Sequence, residues 1–379
     1  MTDSSASPRI SALHLALEVD GDGAHPASWR HAGRPPESVF TAHAVREAVL
    51  TAQSAGFALA TFADGPLAAA PLPRTSARPD AVGRLEAGTR AAYVSTVTDR
   101  IGLAPTLHAT VTEPFHLATQ LASLDHASHG RGAWIVDAAN DPDARATVGG
   151  EPLTPDALRA EISDVVNTAR ALWDSWEDDA VIRDVATSRY LDSAKVHHID
   201  YQGAGFSVKG PLITPRPPQG QLVVLAPDAL EIDALADLVL VGRPELAELS
   251  DRARQARAAG APLVFAELEF VLDASAPAAA RLAELDRATP WPAGNVLRHV
   301  GDVHGLIELL RALAEVVDGV RLRPAVLAVD LPVLIERVLP ALAAEGLLHD
   351  APRPGATLRT TLGLPRPANR FALAASQSR

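Results

Sequence analysis

Short apolar runs alternate with amphipathic stretches along most of the chain. Runs rich in Val, Ile and Leu predict strands at Ile10–Val19, Ala58–Ala63, Ile101–Leu107, Gly132–Asp137, Leu222–Ala226, Leu238–Val241, Leu263–Leu272 and Val320–Leu322. Near-continuous apolar runs of this kind suit parallel strands covered on both faces. Between them the apolar positions recur at helical spacing. Thr41–Gly56 carries Val45, Ala48, Val49 and Ala52 and stops at a glycine suited to a helix C-terminus. Thr112–Glu113–Pro114 opens a second helix, with proline in the first turn. Thr154–Pro155 opens a long one with Leu158, Ile162, Val165, Ala169, Leu172 and Trp176 on one stripe. Further helices fit Pro244–Ala259, Pro277–Ala288, Val303–Val317 and Leu331–Glu345.

Regular β/α alternation predicts a parallel sheet with helical crossovers. Eight units favour a (β/α)8 TIM barrel in a single α/β domain over residues 1–379. Residues 178–220 break the rhythm and carry a hairpin-like pair, Val196–Tyr201 and Gly205–Val208. They read as an insertion at the barrel top or edge. Residues 349–379 form a tail with a Pro- and Arg-bearing stretch, Leu364–Ala372, that either docks on a partner or packs on its own barrel.

Composition narrows the function classes more than it identifies one. The chain has 379 residues, is 47% hydrophobic and 21% charged, and so can bury a large core. Alanine is abundant and lysine occurs only at Lys195 and Lys209, a bias that fits a GC-rich genome. A net charge of −12 argues against a nucleic-acid partner. No apolar run is long enough to span a membrane, and Met1–Pro8 lacks the basic and apolar regions of a signal peptide. A soluble, cytoplasmic protein is expected. The absence of cysteine excludes disulfides, thiolate nucleophiles and thiolate-bound zinc.

In a barrel the chemistry lies at the C-terminal strand ends. Glu18, Asp64, Thr106, His108, Asp137 and Asn140 stand at successive predicted ends, with His14 inside the first strand. No metal site is expected: there is no H-E-x-x-H, and the adjacent His197 and His198 would point to opposite faces of a strand. There is no G-x-S-x-G, and no G-x-G-x-x-G follows a strand.

Four blocks carry a resemblance: Thr119–Trp134, Leu172–Asp184 with Lys195–His197, Phe206–Gly220, and Thr357–Ala372 preceded by Val338–Leu348. Trp29–Arg30–His31 and Phe62–Ala63–Asp64 add shorter matches. On these the chain resembles the luciferase-like flavin monooxygenases, in particular the nitrilotriacetate and dibenzothiophene-sulfone monooxygenase group. The resemblance implies a TIM barrel and reduced FMN supplied by a separate NAD(P)H-dependent flavin reductase. It further implies that O2, activated as a flavin C4a-hydroperoxide, oxygenates a small organic substrate, and that the protein is a homo-oligomer. Carried over residue by residue, it assigns an active-site role to His25 and flavin contacts to Asp64 and Thr106.

The chain also departs from the family pattern. The strand-four run is Trp134–Ile135–Val136–Asp137–Ala138–Ala139, without the family's Asn, Thr and Ser. The Tyr expected to reach the phosphate is absent where Ala157–Leu158 stand. The glycine- and serine-bearing phosphate loop after strand five is replaced by Leu225–Ala226–Pro227–Asp228–Ala229–Leu230. Pro227 offers no N–H and Asp228 would repel a phosphate, leaving Arg243 as a substitute donor. Two expectations follow. One is an active monooxygenase with an altered flavin site. The other is a degenerate relative that has lost the phosphate site and serves as a partner subunit or small-molecule binder.

Overall fold

The computed structural model describes residues 12–66 and 83–377, so Met1–Pro8 and the start of the first predicted strand lie outside the described residues. Eight parallel strands close into a barrel: β1 His14–Glu18, β2 Leu59–Phe62, β3 Gly102–His108, β4 Ala133–Asp137, β5 Val223–Pro227, β6 Leu238–Val241, β7 Leu263–Leu272 and β8 Gly319–Pro324. Each falls on a predicted run. The ring closes where β1 meets β8, His14 beside Gly319, and where β6 meets β7, Leu238 beside Leu263.

Strand side chains alternate between the inside and the helix-covered outside. Ala16, Ala104, Ile135, Leu225, Leu240 and Phe265 pack together in the barrel interior. Leu15, Leu17, Leu103, Trp134 and Val136 join the larger core that the helices cover.

The crossovers carry α1 Ala42–Ser54, α2 Ala87–Ser95, α3 Pro114–Ala127, α4 Pro155–Asp174, α5 Leu246–Ala258, α6 Ala278–Ala288 and α7 Val303–Leu313. After β8 the chain is helical over Leu327–Val333 and Leu339–Ala344, with a π turn at Leu334–Val338 between them. The starts follow local chemistry. Glu113 accepts from the Phe115 and His116 N–H groups before Pro114 opens α3, and Thr154 caps α4 ahead of Pro155. On α4 the residues Ile162, Val165, Ala169 and Leu172 are buried as the spacing requires. The helix ends at Asp174, however, and Trp176 instead donates its indole N–H to the Leu212 carbonyl.

Two elements escape the sequence pattern. Helix α2 buries mostly Ala, Gly and Arg90, a face with little apolar signal. A short strand, Leu297–Gly301, pairs with the C-terminal half of β7, beyond the part of β7 that pairs with β6. The β5–β6 crossover is the exception among the connections. It has only the single turns Asp228–Leu230 and Asp233–Leu235 and no α-helix.

The insertion at 178–220 takes the edge placement rather than a position over the strand ends. It begins where α4 has returned to the N-terminal side of the barrel, since a crossover helix runs antiparallel to its strands. Its first hairpin pairs Val181–Asp184 with Arg189–Leu191. The predicted second pairing is smaller than expected, Tyr201–Gln202 with Ser207–Val208, and Tyr201 reaches Asp164 on the flank of α4 at 2.9 Å.

The C-terminal tail packs on its own barrel. Leu358, Leu362 and Leu364 join the interior cluster. There is no room for a side chain at Gly102, because a Cβ would lie 2.6 Å from the Leu358 methyl. Arg359 is buried, donates to the Gln221 and Leu222 carbonyls and pairs with Asp237 at 3.1 Å. Further on, Arg366 pairs with Asp178, Asn369 donates to the Asp174 and Trp176 carbonyls, and Phe371 stacks on His197 at 4.7 Å.

At this same end His14 stacks on His349 at 3.7 Å and faces Phe265. Burial, reinforced by His349, holds its imidazole down at about 4 from an ordinary 6.5. A histidine lowered by folding contributes its stability in full above the unfolded value and loses it as pH falls through the folded one. A gap of this size is worth roughly 3 kcal/mol. The stability of His14→Phe should therefore fall less steeply between pH 6.5 and 4 than that of the parent, by about that amount. Parallel chemical-denaturation profiles for the two proteins would count against this role for His14.

Candidate active site at the barrel mouth

Period-two alternation brings a set of polar side chains to the C-terminal end of the barrel interior. Glu18 comes from β1, Thr61 from β2, Thr106 and His108 from β3, Asp137 from β4, Glu267 and Glu269 from β7, and Arg321 and Arg323 from β8. On the β7–β8 side they form one ionic network. Arg321 donates to Glu18 at 2.5 Å, to Glu267 at 2.6 Å and to the Thr61 hydroxyl at 3.0 Å. Arg323 bridges Glu18 at 3.4 Å and Glu269 at 3.1 Å. Arg298, from the strand Leu297–Gly301, pairs with Glu269 at 2.7 Å and lies over the Trp291 ring.

Three carboxylates thus meet three guanidiniums, which is how buried charges are tolerated. Burial alone would push the Glu18 carboxyl up, but Arg323 and Arg321 together hold it below the usual carboxylate range. Burial would likewise lower Arg323, yet Glu18, Glu267 and Glu269 raise it, so its charge is fixed. Overall composition gives no sign of this network. Its signal is present, though: E-x-E in β7 and R-x-R in β8 put like charges on one face of otherwise apolar strands.

A cavity of 400 Å³ opens beside the network, between the loop after β1 and the start of α2. Its lining includes Glu18, Asp20, His25, Trp29, Arg84 and Arg323. His25 reaches it, but both ring nitrogens are engaged. Nδ1 accepts the Ala27 N–H at 3.0 Å, and Nε2 meets Asp286 on α6 at 3.1 Å. The ring is buried, which lowers its pKa despite the Asp286 carboxylate. In this geometry His25 ties the β1 loop to α6.

Asp64 and Thr106 are not part of this lining. Asp64 accepts from the Gly65 N–H at 2.8 Å and from the Ala87 N–H at 2.6 Å, fixing the approach to α2. Thr106 is buried in β3 beside Ile135 of β4. Of the three residues assigned by resemblance, His25 alone lines this cavity. Of the other strand-end residues, Asn140 exchanges hydrogen bonds with the Leu153 backbone, and His108 stands opposite Asp137 in the β3–β4 ladder.

The far side of the mouth, at the head of the β5–β6 crossover, carries a second cluster. Asp228 is buried, forms an ion pair with Arg243 at 2.8 Å and accepts from Arg252 at 3.0 Å. Arg252 also pairs with Asp233 at 2.7 Å. Arg243, the substitute anion donor suggested by the sequence, is thus already paired to an internal carboxylate. The adjoining cavity of 650 Å³ is lined by Asp228, Glu231, Asp233, Arg243, Arg252 and Asn295, three acids against two bases.

Among the described residues no group of three His, Asp or Glu side chains is placed to hold a metal ion. No helix among them is long and apolar enough to cross a membrane.

Comparison with known proteins places this geometry in context. A sequence model of luciferase-like monooxygenases matches residues 23–314. The chain is 35% identical over 214 residues to N-acetyl-S-(2-succino)cysteine monooxygenase of Bacillus subtilis (strain 168), covering 56% of this chain and 47% of that protein. It is 34% identical over 223 residues to nitrilotriacetate monooxygenase component A of Aminobacter aminovorans, covering 56% and 49%. The matched parts are thus about half the length of these curated relatives. Over the whole fold the chain superposes on the crystal structure of a long-chain alkane monooxygenase with a TM-score of 0.79 at 20% identity, covering 93% of this chain and 95% of that one.

Proposed function

The chain belongs to the luciferase-like monooxygenase family, and on that premise we propose that it is a flavin-dependent monooxygenase that recognises its flavin without gripping the phosphate. In this reading a separate NAD(P)H-dependent reductase supplies reduced FMN as a diffusing cosubstrate, and O2 and a small organic molecule are the other reactants. The relative named as a component A supports a multi-component system.

The carrying observation is the clasp of Asp228 with Arg243 and Arg252. A phosphate is normally met by backbone N–H groups at a helix N-terminus or in a glycine-rich turn. The crossover after β5 provides Pro227, a buried carboxylate and no α-helix. These residues do not fit a dianionic phosphate. When bound, the flavin would supply the oxygen chemistry. This chain's own contribution is a charge-balanced mouth, in which Arg321 and Arg323 hold three carboxylates in place beside the cavity.

A second reading is favoured by the same clasp: a relative that binds no flavin and acts as a partner subunit or small-molecule binder. An anaerobic titration with reduced FMN, followed by flavin fluorescence on reoxidation of the protein fraction, separates the two. Saturation in the micromolar range supports the monooxygenase reading. No binding of oxidised or reduced FMN at tens of micromolar overturns it in favour of the second.

A further inference from the structure

The unused polar group at the mouth is His108. Strands β3 and β4 pair in parallel with His108 beside Asp137, while the alternate residues Leu107, Trp134 and Val136 pack outward. His108 is 9% exposed, and neither ring nitrogen has a hydrogen-bond partner among the described residues. Its Nδ1 lies 3.9 Å from Asp137 Oδ2, beyond hydrogen-bond distance. The other Asp137 oxygen accepts the Ala138 N–H at 2.7 Å, which fixes the carboxylate, and the Asp137 side chain is 42% exposed. The contrast with His25, whose two nitrogens are both engaged, is direct.

Leaving a buried polar atom unpaired costs on the order of 1–3 kcal/mol, and native folds rarely leave such a cost uncompensated. Here it stands at the C-terminal end of two adjacent barrel strands, where barrels place their chemistry. The carboxylate on the Nδ1 side favours the tautomer that carries its proton there. Nε2 then presents a lone pair, and it calls for a ligand that brings a proton. An anion would be repelled by Asp137, so the ligand is neutral on arrival.

We propose that His108, with the Asp137 carboxylate on its Nδ1 side, is a proton-accepting subsite of the barrel mouth for a small organic ligand with an acidic hydroxyl, a phenol or an enol. In the transfer the ligand O–H bond breaks and an N–H bond forms at Nε2. The oxygen keeps the electron pair, and the imidazolium faces the Asp137 carboxylate. The half-exposed Asp137 side chain places the pair at the solvent margin of the mouth. The inference is independent of flavin binding, and its test contains no flavin.

The test titrates the full chain with 4-nitrophenol, whose phenolate absorbs at longer wavelength than the phenol, at one fixed pH near neutrality where an ordinary imidazole is largely neutral, with the free probe's own phenolate fraction as the baseline. The expected result is saturable binding with a growing phenolate band. The methyl ether 4-nitroanisole, which has no proton to give, should bind the same protein at least about ten-fold more weakly. His108→Gln should lose the phenolate band, and Asp137→Asn should retain binding with a smaller phenolate fraction. Equal affinity for the two probes on the unaltered chain overturns the proposal without recourse to any variant. So does the absence of nitrophenol binding at millimolar concentration, or a phenolate band that survives in a folded His108→Gln protein.

Discussion

Arg321→Met is expected to destabilise the protein by roughly 3–5 kcal/mol, the usual consequence of removing one partner from a buried ion cluster. Arg321 is 8% exposed and is the common donor to Glu18, Glu267 and the Thr61 hydroxyl. Without it Glu267 loses its guanidinium partner, and Glu18 keeps only Arg323 at 3.4 Å. Two carboxylates would then be charged and under-compensated inside the barrel mouth. Chemical denaturation at neutral pH should show a lower midpoint with an unchanged slope. Replacing Glu18, Glu267 and Arg321 together by apolar residues of similar volume should recover much of the loss, because no charge is left stranded. A loss below about 1 kcal/mol for Arg321→Met would mean the network is solvated rather than buried.

Asp228→Ser is the second large effect. One oxygen of the buried carboxylate meets both Arg243 and Arg252, and its removal frees Arg243 and leaves Arg252 with Asp233 alone at the head of the crossover. A serine there adds a hydroxyl donor and removes the repulsion. FMN affinity should rise by about ten-fold or more, some 1.4 kcal/mol, while riboflavin affinity stays within about two-fold. Fluorescence titrations of both flavins with both proteins read this directly. An equal change for the two ligands would show that Asp228 acts on the flavin ring or the fold and has no bearing on the phosphate.

How much of this was legible in the sequence depended on which forces left a pattern. The eight barrel strands were readable because each must be apolar on the outer face that the helices cover, giving runs such as Leu222–Ala226 and Leu263–Leu272. Helix α4 was readable from its stripe and its Thr-Pro start. Helix α2 was not, because alanine and glycine bury without a strong hydrophobic signal. The strand Leu297–Gly301 has only two apolar residues in five, since its other positions serve Glu269 and solvent.

The site was legible only in part. Asp228 was marked by its departure from the family pattern and Arg243 as a substitute donor, but only the fold shows that they pair with each other. His25 and Asp64 carry the right residue types, and tertiary contacts engage both with their own backbone surroundings. The pairing of His108 with Asp137 depends on a strand register that no local pattern encodes.

The account turns on whether a phosphate adds anything to flavin binding at this barrel mouth, and the most direct measurement compares FMN with riboflavin on the unaltered protein. If the proposed function holds, paired titrations at one ionic strength should give dissociation constants within about three-fold of each other, because Asp228 already pairs with Arg243 and Arg252. A preference for FMN of about a hundred-fold or more would correspond to nearly 3 kcal/mol of phosphate recognition and would contradict it.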